Sequence, residues 1–280
     1  RILKFSIPAL SIPLADPIMS FVDAVCVGQY ASTLELAAIG PNLVIFNFIN
    51  FTFSFLAIAT TLSMSAALAS QDRKTAGRIV SSSLQLALLS GVAIIAGAVA
   101  FSFPLLAATG AVPELLLVAQ KYLLIRIWAS PAVLATMVLQ SGLLAQRDSF
   151  TCFLAVLLSA ASNIAGDIFL IRFLGLGLEG AAWATLAGNY LALLLLVLLG
   201  YTRVGQRMRG TAVERLELGL IAVQACGPLF FVSACKNLCY LMLQSVATSF
   251  STTTCAAHQA MWSVWTILSF CPTPLEQCAQ

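Results

Sequence analysis

The sequence predicts an all-α protein that crosses a membrane repeatedly, and three observations carry that prediction. Of its 280 residues, 60% are hydrophobic and 9% are charged, with a mean hydropathy of +0.97, whereas a soluble domain carries about a quarter of its residues as Asp, Glu, Lys and Arg. The few charges gather in short clusters separated by long uncharged stretches. Those stretches have the length of membrane helices, which need about 20 predominantly apolar residues. The composition excludes a cytosolic enzyme and a disordered chain, and a scattered net charge of +3 is no surface for a nucleic acid.

Division at charges and turn formers gives eight spans. Ile2–Val27 begins among Arg1 and Lys4 and ends at the polar run after it; Pro41–Ser70 opens on a proline and closes before Asp72, Arg73 and Lys74. Ile79–Leu106 follows Arg78, and Leu115–Leu144 lies between Glu114 and Arg147. Phe150–Phe173 ends at Gly175 and Gly177, and Gly180–Tyr201 ends at Arg203. Leu218–Phe250, which contains Lys236, and Thr253–Phe270 complete the set. The basic residues Arg73, Lys74, Arg78, Arg147, Arg203, Arg207, Arg209 and Arg215 fall on alternate loops, while the other loops are nearly bare and the candidates on that face are Lys121, Arg172 and the weakly placed Arg126. The positive-inside rule therefore places the N-terminus in the cytoplasm or its topological equivalent.

Residues 202–217 are the longest polar stretch and read as a basic cytoplasmic linker between a six-helix lobe, 1–201, and the start of a second lobe, 218–280. An internal repeat supports the division: Pro8, Ser32-Thr33 and Ala37-Ala38 recur as Pro228, Ser251-Thr252 and Ala256-Ala257 at an offset of 219 or 220. Duplicated helical units of this kind are used by secondary transporters. On this reading the second copy stops after two helices, and a first residue that is Arg rather than Met also points to a fragment.

Ionisable residues at membrane depth are costly, by about 2.5–3.5 kcal/mol on an insertion scale, and are candidate functional groups. Asp16 and Asp23 lie in the first span, Asp167 in the fifth and Lys236 in the seventh. Asn163 and Asp167 are four apart and stack on one helix face. Thr185 and Asn189 stand one turn apart in the sixth span. With Asp23 facing them, the set offers hard oxygen ligands for Na+ or a carboxylate pair for H+. The same spacing fits polar residues that bond helices together; two acids with no basic partner favour the coupling site. Pro8, with Pro13 and Pro17 interrupting the same helix, supplies a place for a bend, either static or linked to protonation of Asp23. Gln140, Asn189 and Lys236 are further polar candidates for a cavity. The eight cysteines, Cys26, Cys152, Cys226, Cys235, Cys239, Cys255, Cys271 and Cys278, contain no CxxC pair, and they and His258 read as packing residues.

The motifs resemble those of multidrug and toxic compound extrusion (MATE) transporters. DPIMSFVDAVCVGQYASTLELAAIGP is similar to the family's first helix and following loop, and AIATTLSMSAALASQDRK to the end of its second. KYLLIRIWASPAVLATMVLQSGLLAQRDSF resembles the fourth helix, SNIAGDIFLIRFLGLGLEGAAWAT the fifth and sixth, and AAHQAMWSVW with PLEQCAQ the eighth. VDAVCVGQ, LEGAAWAT and CAAHQ look most like the eukaryotic DinF-like branch, in its plant and algal plastid members. The resemblance implies two six-helix lobes around a central cavity, and antiport in which H+ or Na+ drives export of an organic solute or xenobiotic. It assigns the cation site to Asp23, Asn163, Asp167 and Thr185 and the bend to Pro8. Within the repeat Asp23 falls opposite about Met242, so coupling is assigned to the first lobe alone.

Two positions depart from the family pattern. Ala145 and Cys152 stand where a Gly and a Pro are usual, which is expected to loosen the turn between the fourth and fifth spans; Asp16 stands where plastid relatives tend to have a small residue. The expected protein is then a monomeric, multi-pass antiporter without a cofactor or resident metal. Its partners would be membrane lipid and a small organic solute, either an organic anion or a cationic drug. It would sit in the plastid envelope, or otherwise in the plasma or vacuolar membrane. The alternatives are a lipid-linked flippase of the same superfamily and a non-transporting truncated membrane protein; no HExxH, GxSxG or nucleotide loop supports an enzyme.

Overall fold

In a computed structural model, residues 2–109 and 113–204 are described, together with isolated helical positions between 227 and 268. The described part contains helices and no strands. They are α1 (Ile2–Tyr30), α2 (Thr33–Ala69), α3 (Arg73–Ala108), α4 (Pro113–Arg126), α5 (Ser130–Ala145), α6 (Ser149–Asp167) and α7 (Gly177–Val204). A 3₁₀ turn, Ile127–Ala129, joins α4 to α5, so these two form one membrane-length unit; a π-helical segment, Ile168–Phe173, extends α6. Among the described residues six helical units are long and apolar enough to span a bilayer. They correspond to the first six predicted spans. The seventh and eighth spans, the basic linker, Met242's opposition to Asp23 and His258 fall outside the region described as continuous structure.

The helices start earlier than apolarity alone predicts, because capping sets the boundaries. Ser32 caps α2: its hydroxyl accepts from the Glu35 amide at 3.2 Å, and the Glu35 carboxylate accepts in return from the Ser32 amide at 2.9 Å. This capping box satisfies two of the orphan amides of the helix start and begins α2 eight residues before Pro41, which lies within the helix. Asp72 caps α3 by accepting from the Lys74 and Thr75 amides, each at 3.1 Å, and from the Thr75 hydroxyl at 2.6 Å. The Thr75 bonds hold the Asp72 carboxyl below its ordinary range.

Asp148 does the same for α6, accepting from the Thr151 amide at 3.1 Å and hydroxyl at 2.8 Å. In both turns the preceding residue is left-handed, Gln71 at φ 59° and Arg147 at φ 64°. Both return the Asp amide to the end of the previous helix, at Ala67 and Leu143. The turn expected to be loose is therefore closed. Ala145 is simply the last residue of α5, and the left-handed position is Arg147.

Prolines bend this bundle less than expected. α1 carries Pro8, Pro13 and Pro17 yet is one helix of 29 residues, where interruptions were expected. In α3 the backbone does depart from helical geometry, at Phe101 (φ −119°, ψ 22°). That residue stands one turn before Pro104, which cannot donate to a carbonyl of the preceding turn.

The outer surface is apolar. Phe21, Leu89 and Phe173 are 70%, 57% and 72% exposed, a cost in water that disappears against lipid. Inside, small residues let backbones approach. Gly91 on α3 packs against Pro131 on α5, and a Cβ on Gly91 would lie 2.7 Å from the Pro131 nitrogen. Neither backbone can yield without parting the helices. Gly91→Ala is therefore expected to destabilise the protein by about 1–3 kcal/mol. Gly97→Ala, whose Cβ would meet nothing within 4 Å, should leave the melting temperature unchanged or slightly raised; thermal unfolding of the two purified variants checks the contrast.

Candidate functional site

The site forms where α1 meets α6 and α7. The close approach of α6 and α7 is made by glycines: a Cβ on Gly166 would lie 2.8 Å from the Ala184 Cβ, and one on Gly188 would lie 2.9 Å from the Ser159 carbonyl oxygen. Between these two contacts the Asn163 amide donates to the Thr185 hydroxyl at 3.1 Å. α1 packs on α6, with Met19 buried against the Ser159 hydroxyl. One turn beyond Met19, Asp23 receives a 3.3 Å hydrogen bond from Thr185. Asp167 lies one turn beyond Asn163, at the last α-helical residue before the π segment, with its carboxyl beside that of Asp23.

Asp23, Asn163, Asp167 and Thr185 are thus brought together. They are 2%, 0%, 0% and 4% exposed. Thr185 has one proton and two neighbours for it, the Ala181 carbonyl at 2.9 Å and Asp23 at 3.3 Å. Four oxygens in the cluster have no protein hydrogen-bond partner: Oδ1 of Asp23, Oδ1 of Asn163 and both carboxylate oxygens of Asp167. All four are acceptors, and buried polar atoms are ordinarily paired. A cluster of that kind is completed by a proton or by a cation with oxygen ligands. Among the described residues there is no group of three His, Cys, Asp or Glu side chains, so the donor set is one of mixed carboxylate, amide and hydroxyl oxygen.

A small, partly open cavity adjoins the cluster and shares Thr185 with it; Asn189 also lines it, as do Asp16, Arg126, Met19 and Phe46. The Asn189 amide donates to the Thr185 carbonyl at 3.0 Å. Of the other predicted polar candidates, Gln140 is buried on α5 near Cys152, and Lys236 is an exposed helical position; neither lines this cavity. Pro8 lies in α1, where its carbonyl accepts from the Ser11 hydroxyl at 2.6 Å.

Arg126, which falls within the fourth predicted span, is the last residue of α4, inside the fourth membrane unit. Its guanidinium donates to the Tyr122 hydroxyl and sits 4.7 Å from the centroid of the Phe46 ring. The available signal was a lone Arg within an apolar run, the same scarcity argument that picks out Asp23.

The MatE family pattern matches residues 8–169 of this chain. The chain belongs to the MatE family. A MatE assignment agrees with similarity to two Arabidopsis thaliana proteins. One is Protein DETOXIFICATION 47, chloroplastic, 33% identical over 283 residues; the other is Protein DETOXIFICATION 44, chloroplastic, 30% identical over 297. Each alignment takes in 100% of this chain but 52% and 55% of the relative, so this MatE chain spans about half the length of the relatives it matches. The DNA damage-inducible protein F of Escherichia coli is 26% identical over 212 residues, which is 76% of this chain and 46% of that protein.

The MatE fold is also that of a MOP superfamily transporter from Pyrococcus furiosus, with a TM-score of 0.83 and 21% identity. That likeness covers 99% of this chain and 62% of the other. An outward-facing multidrug resistance MATE transporter gives 0.81 at 22% identity over 99% and 62% of the two chains. The chain is accordingly an integral, multi-pass membrane protein of a transporter family.

The orphan oxygens predict a stability signature. Asp167→Asn brings an N–H donor toward the Asp23 carboxylate, whose Oδ1 has no protein partner. In buffer poor in cations at neutral pH the variant is expected to be more stable than the parent by about 1–3 kcal/mol, the scale of one unsatisfied buried group. Thermal melting of the purified protein checks it, and a lower melting point in the variant would contradict the unpaired state of these oxygens.

Proposed function

We propose that this chain carries the ion-coupling site of a secondary antiporter, in which inward movement of H+ or Na+ drives export of a small organic solute by alternating access. The observation that supports the reading best is the buried cluster of four unpartnered acceptor oxygens on Asp23, Asn163 and Asp167. No donor from the described protein answers them, so the occupant they select is positively charged.

In the proposed cycle, a proton or Na+ enters between Asp23 and Asp167, with Asn163 and Thr185 completing its shell. Neutralising Asp23 releases the Thr185 proton to the Ala181 carbonyl and weakens the tie between α1 and α7. The prolines of α1 remove backbone hydrogen bonds along the segment that must then move. Pro8 is the proposed bend and Asp23 the trigger. The protein acts as a monomer with no cofactor, and its solute is an organic ion or xenobiotic. The chloroplastic names of its Arabidopsis relatives support a plastid envelope location. A lipid-linked flippase is less well supported, since a polyanionic head group calls for several basic residues and Arg126 is the basic residue that lines the described cavity.

The test uses the full-length protein in proteoliposomes, with a pH gradient at equal Na+ and a Na+ gradient at equal pH applied in separate arms. One arm should drive solute efflux, and Asp23→Asn and Asp167→Asn should each reduce that efflux at least about tenfold, as expected when a transfer site is lost rather than perturbed. Thr185→Val should give a smaller loss. Undiminished gradient-driven efflux in both Asn variants would remove the site assignment.

A further inference from the structure

Asp16 and Arg126 are not used by the coupling cluster, yet they line the same cavity. They carry opposite charges and form no ion pair; Lys121 and Glu179, 3.6 Å apart, make the ion pair found among the described residues. Arg126 is held from its own helix and from α2. Arg126 is fixed by its bond to the Tyr122 hydroxyl, with its guanidinium carbon 4.7 Å from the Phe46 ring centroid and 5.5 Å from that of Tyr122. Its remaining N–H groups have no protein acceptor among the described residues. Asp16, on α1, accepts no hydrogen bond from a described residue either.

Two opposite charges in an apolar bundle would ordinarily close on one another, because an unpaired charge away from water is costly. Here both face one opening with no ion pair between them, Asp16 exposed and Arg126 partly so. The cavity is small, about 30 Å³, and open on one side, with Met19, Phe46 and Ile49 at its walls, so that a larger occupant would lie partly in the opening. A purely anionic group at Arg126 is repelled by Asp16, and a purely cationic one at Asp16 is repelled by Arg126. A neutral group leaves both charges unanswered. An occupant carrying an ammonium and an anionic oxygen group a few bonds apart answers both, the planar guanidinium taking the anionic oxygens in its fork.

We propose that Asp16 and Arg126 form a subsite for a zwitterionic head group on a solute with an apolar body. The proposal rests on the transport reading above and names the chemistry of its solute. The head group has two possible sources, a free amino-acid-like solute or a zwitterionic lipid.

Binding to the purified full-length protein in detergent, with no gradient, tests it by calorimetry with four probes: L-phenylalanine, 3-phenylpropionate, 2-phenylethylamine and a short-chain phosphatidylethanolamine. A zwitterion should bind at least about tenfold more tightly than either singly charged probe, a discrimination that arises from repulsion of the wrong charge as well as attraction of the right one. Phenylalanine ahead of the lipid identifies a free solute, and the reverse order identifies a lipid head group. Asp16→Asn should bring 3-phenylpropionate to within about threefold of phenylalanine, and Arg126→Gln should do the same for 2-phenylethylamine.

A parent protein that binds a singly charged probe as tightly as the zwitterions, or that binds none of the four, overturns the proposal. So does an Asp16→Asn protein, folded by its melting curve, that keeps the parent's ranking. These readouts are independent of coupling: loss of efflux in Asp23→Asn together with charge-blind binding would retain the antiporter and discard the subsite.

Discussion

Carboxylate and amide oxygens that can only accept hydrogen bonds are buried where three apolar helices meet, and much of the surrounding geometry serves to keep them there. A carboxylate in such a place is expensive, and it persists only where the packing leaves it no route to water. That packing is made by absence of side chain. Gly166 against Ala184 and Gly188 against Ser159 bring α6 and α7 close enough for Asn163 to reach Thr185. In a membrane, where apolar side chains gain nothing by leaving lipid for one another, small residues at the contact are the main means of drawing two helices together. Enlarging either glycine would separate the amide from the hydroxyl before it disturbed any carboxylate directly.

The backbone after Asp167 is also special. Six residues of π-helix, Ile168–Phe173, follow it directly and end in Gly175 and Gly177, at φ 67° and 54°. π segments concentrate at functional sites. Gly177 has a second constraint: a Cβ there would collide with the Glu35 carboxylate, which accepts from the Leu178 amide at 3.1 Å. Glu35 therefore closes the start of α2 and ties it to the start of α7. Glu35 thus helps to close the end of the bundle nearest the π segment, while α1, with three prolines, lacks three of its internal hydrogen bonds.

The six described spans were legible because a bilayer reduces the problem to counting apolar residues between charges, and Asp23, Asn163, Asp167 and Thr185 were legible because polarity is so rare in such spans that each instance stands out. What was not legible depends on contacts between distant residues. The early starts of α2 and α3 come from Ser32 and Asp72, whose capping roles are local but lie outside the apolar run. The 3₁₀ turn at Ile127–Ala129 leaves no mark in hydropathy. Arg126 fell inside the fourth predicted span, but only the fold places it over Phe46, a residue of another helix. The same holds for Asp16, which sits on the face of Asp23 by sequence spacing and yet opens on a different space.

That division of α1 between two spaces bears on how a coupled carrier can be built. Asp16 and Asp23 are two turns apart on one helix, one facing the cavity and one in the buried cluster. Thr185 belongs to both, its hydroxyl in the cluster and its residue in the cavity wall with Asn189 bonded to its carbonyl. A change in charge at Asp23 can reach the cavity by two routes, through the position of α1 and through the single Thr185 proton. The first moves Asp16 bodily relative to Arg126; the second changes only a hydroxyl orientation. A displacement of α1 by a fraction of a helical turn would alter the separation of the cavity's two charges, so the continuous helix joining both acids is by itself a mechanical link. Cation occupancy and solute affinity would then be reciprocal consequences of where one helix stands.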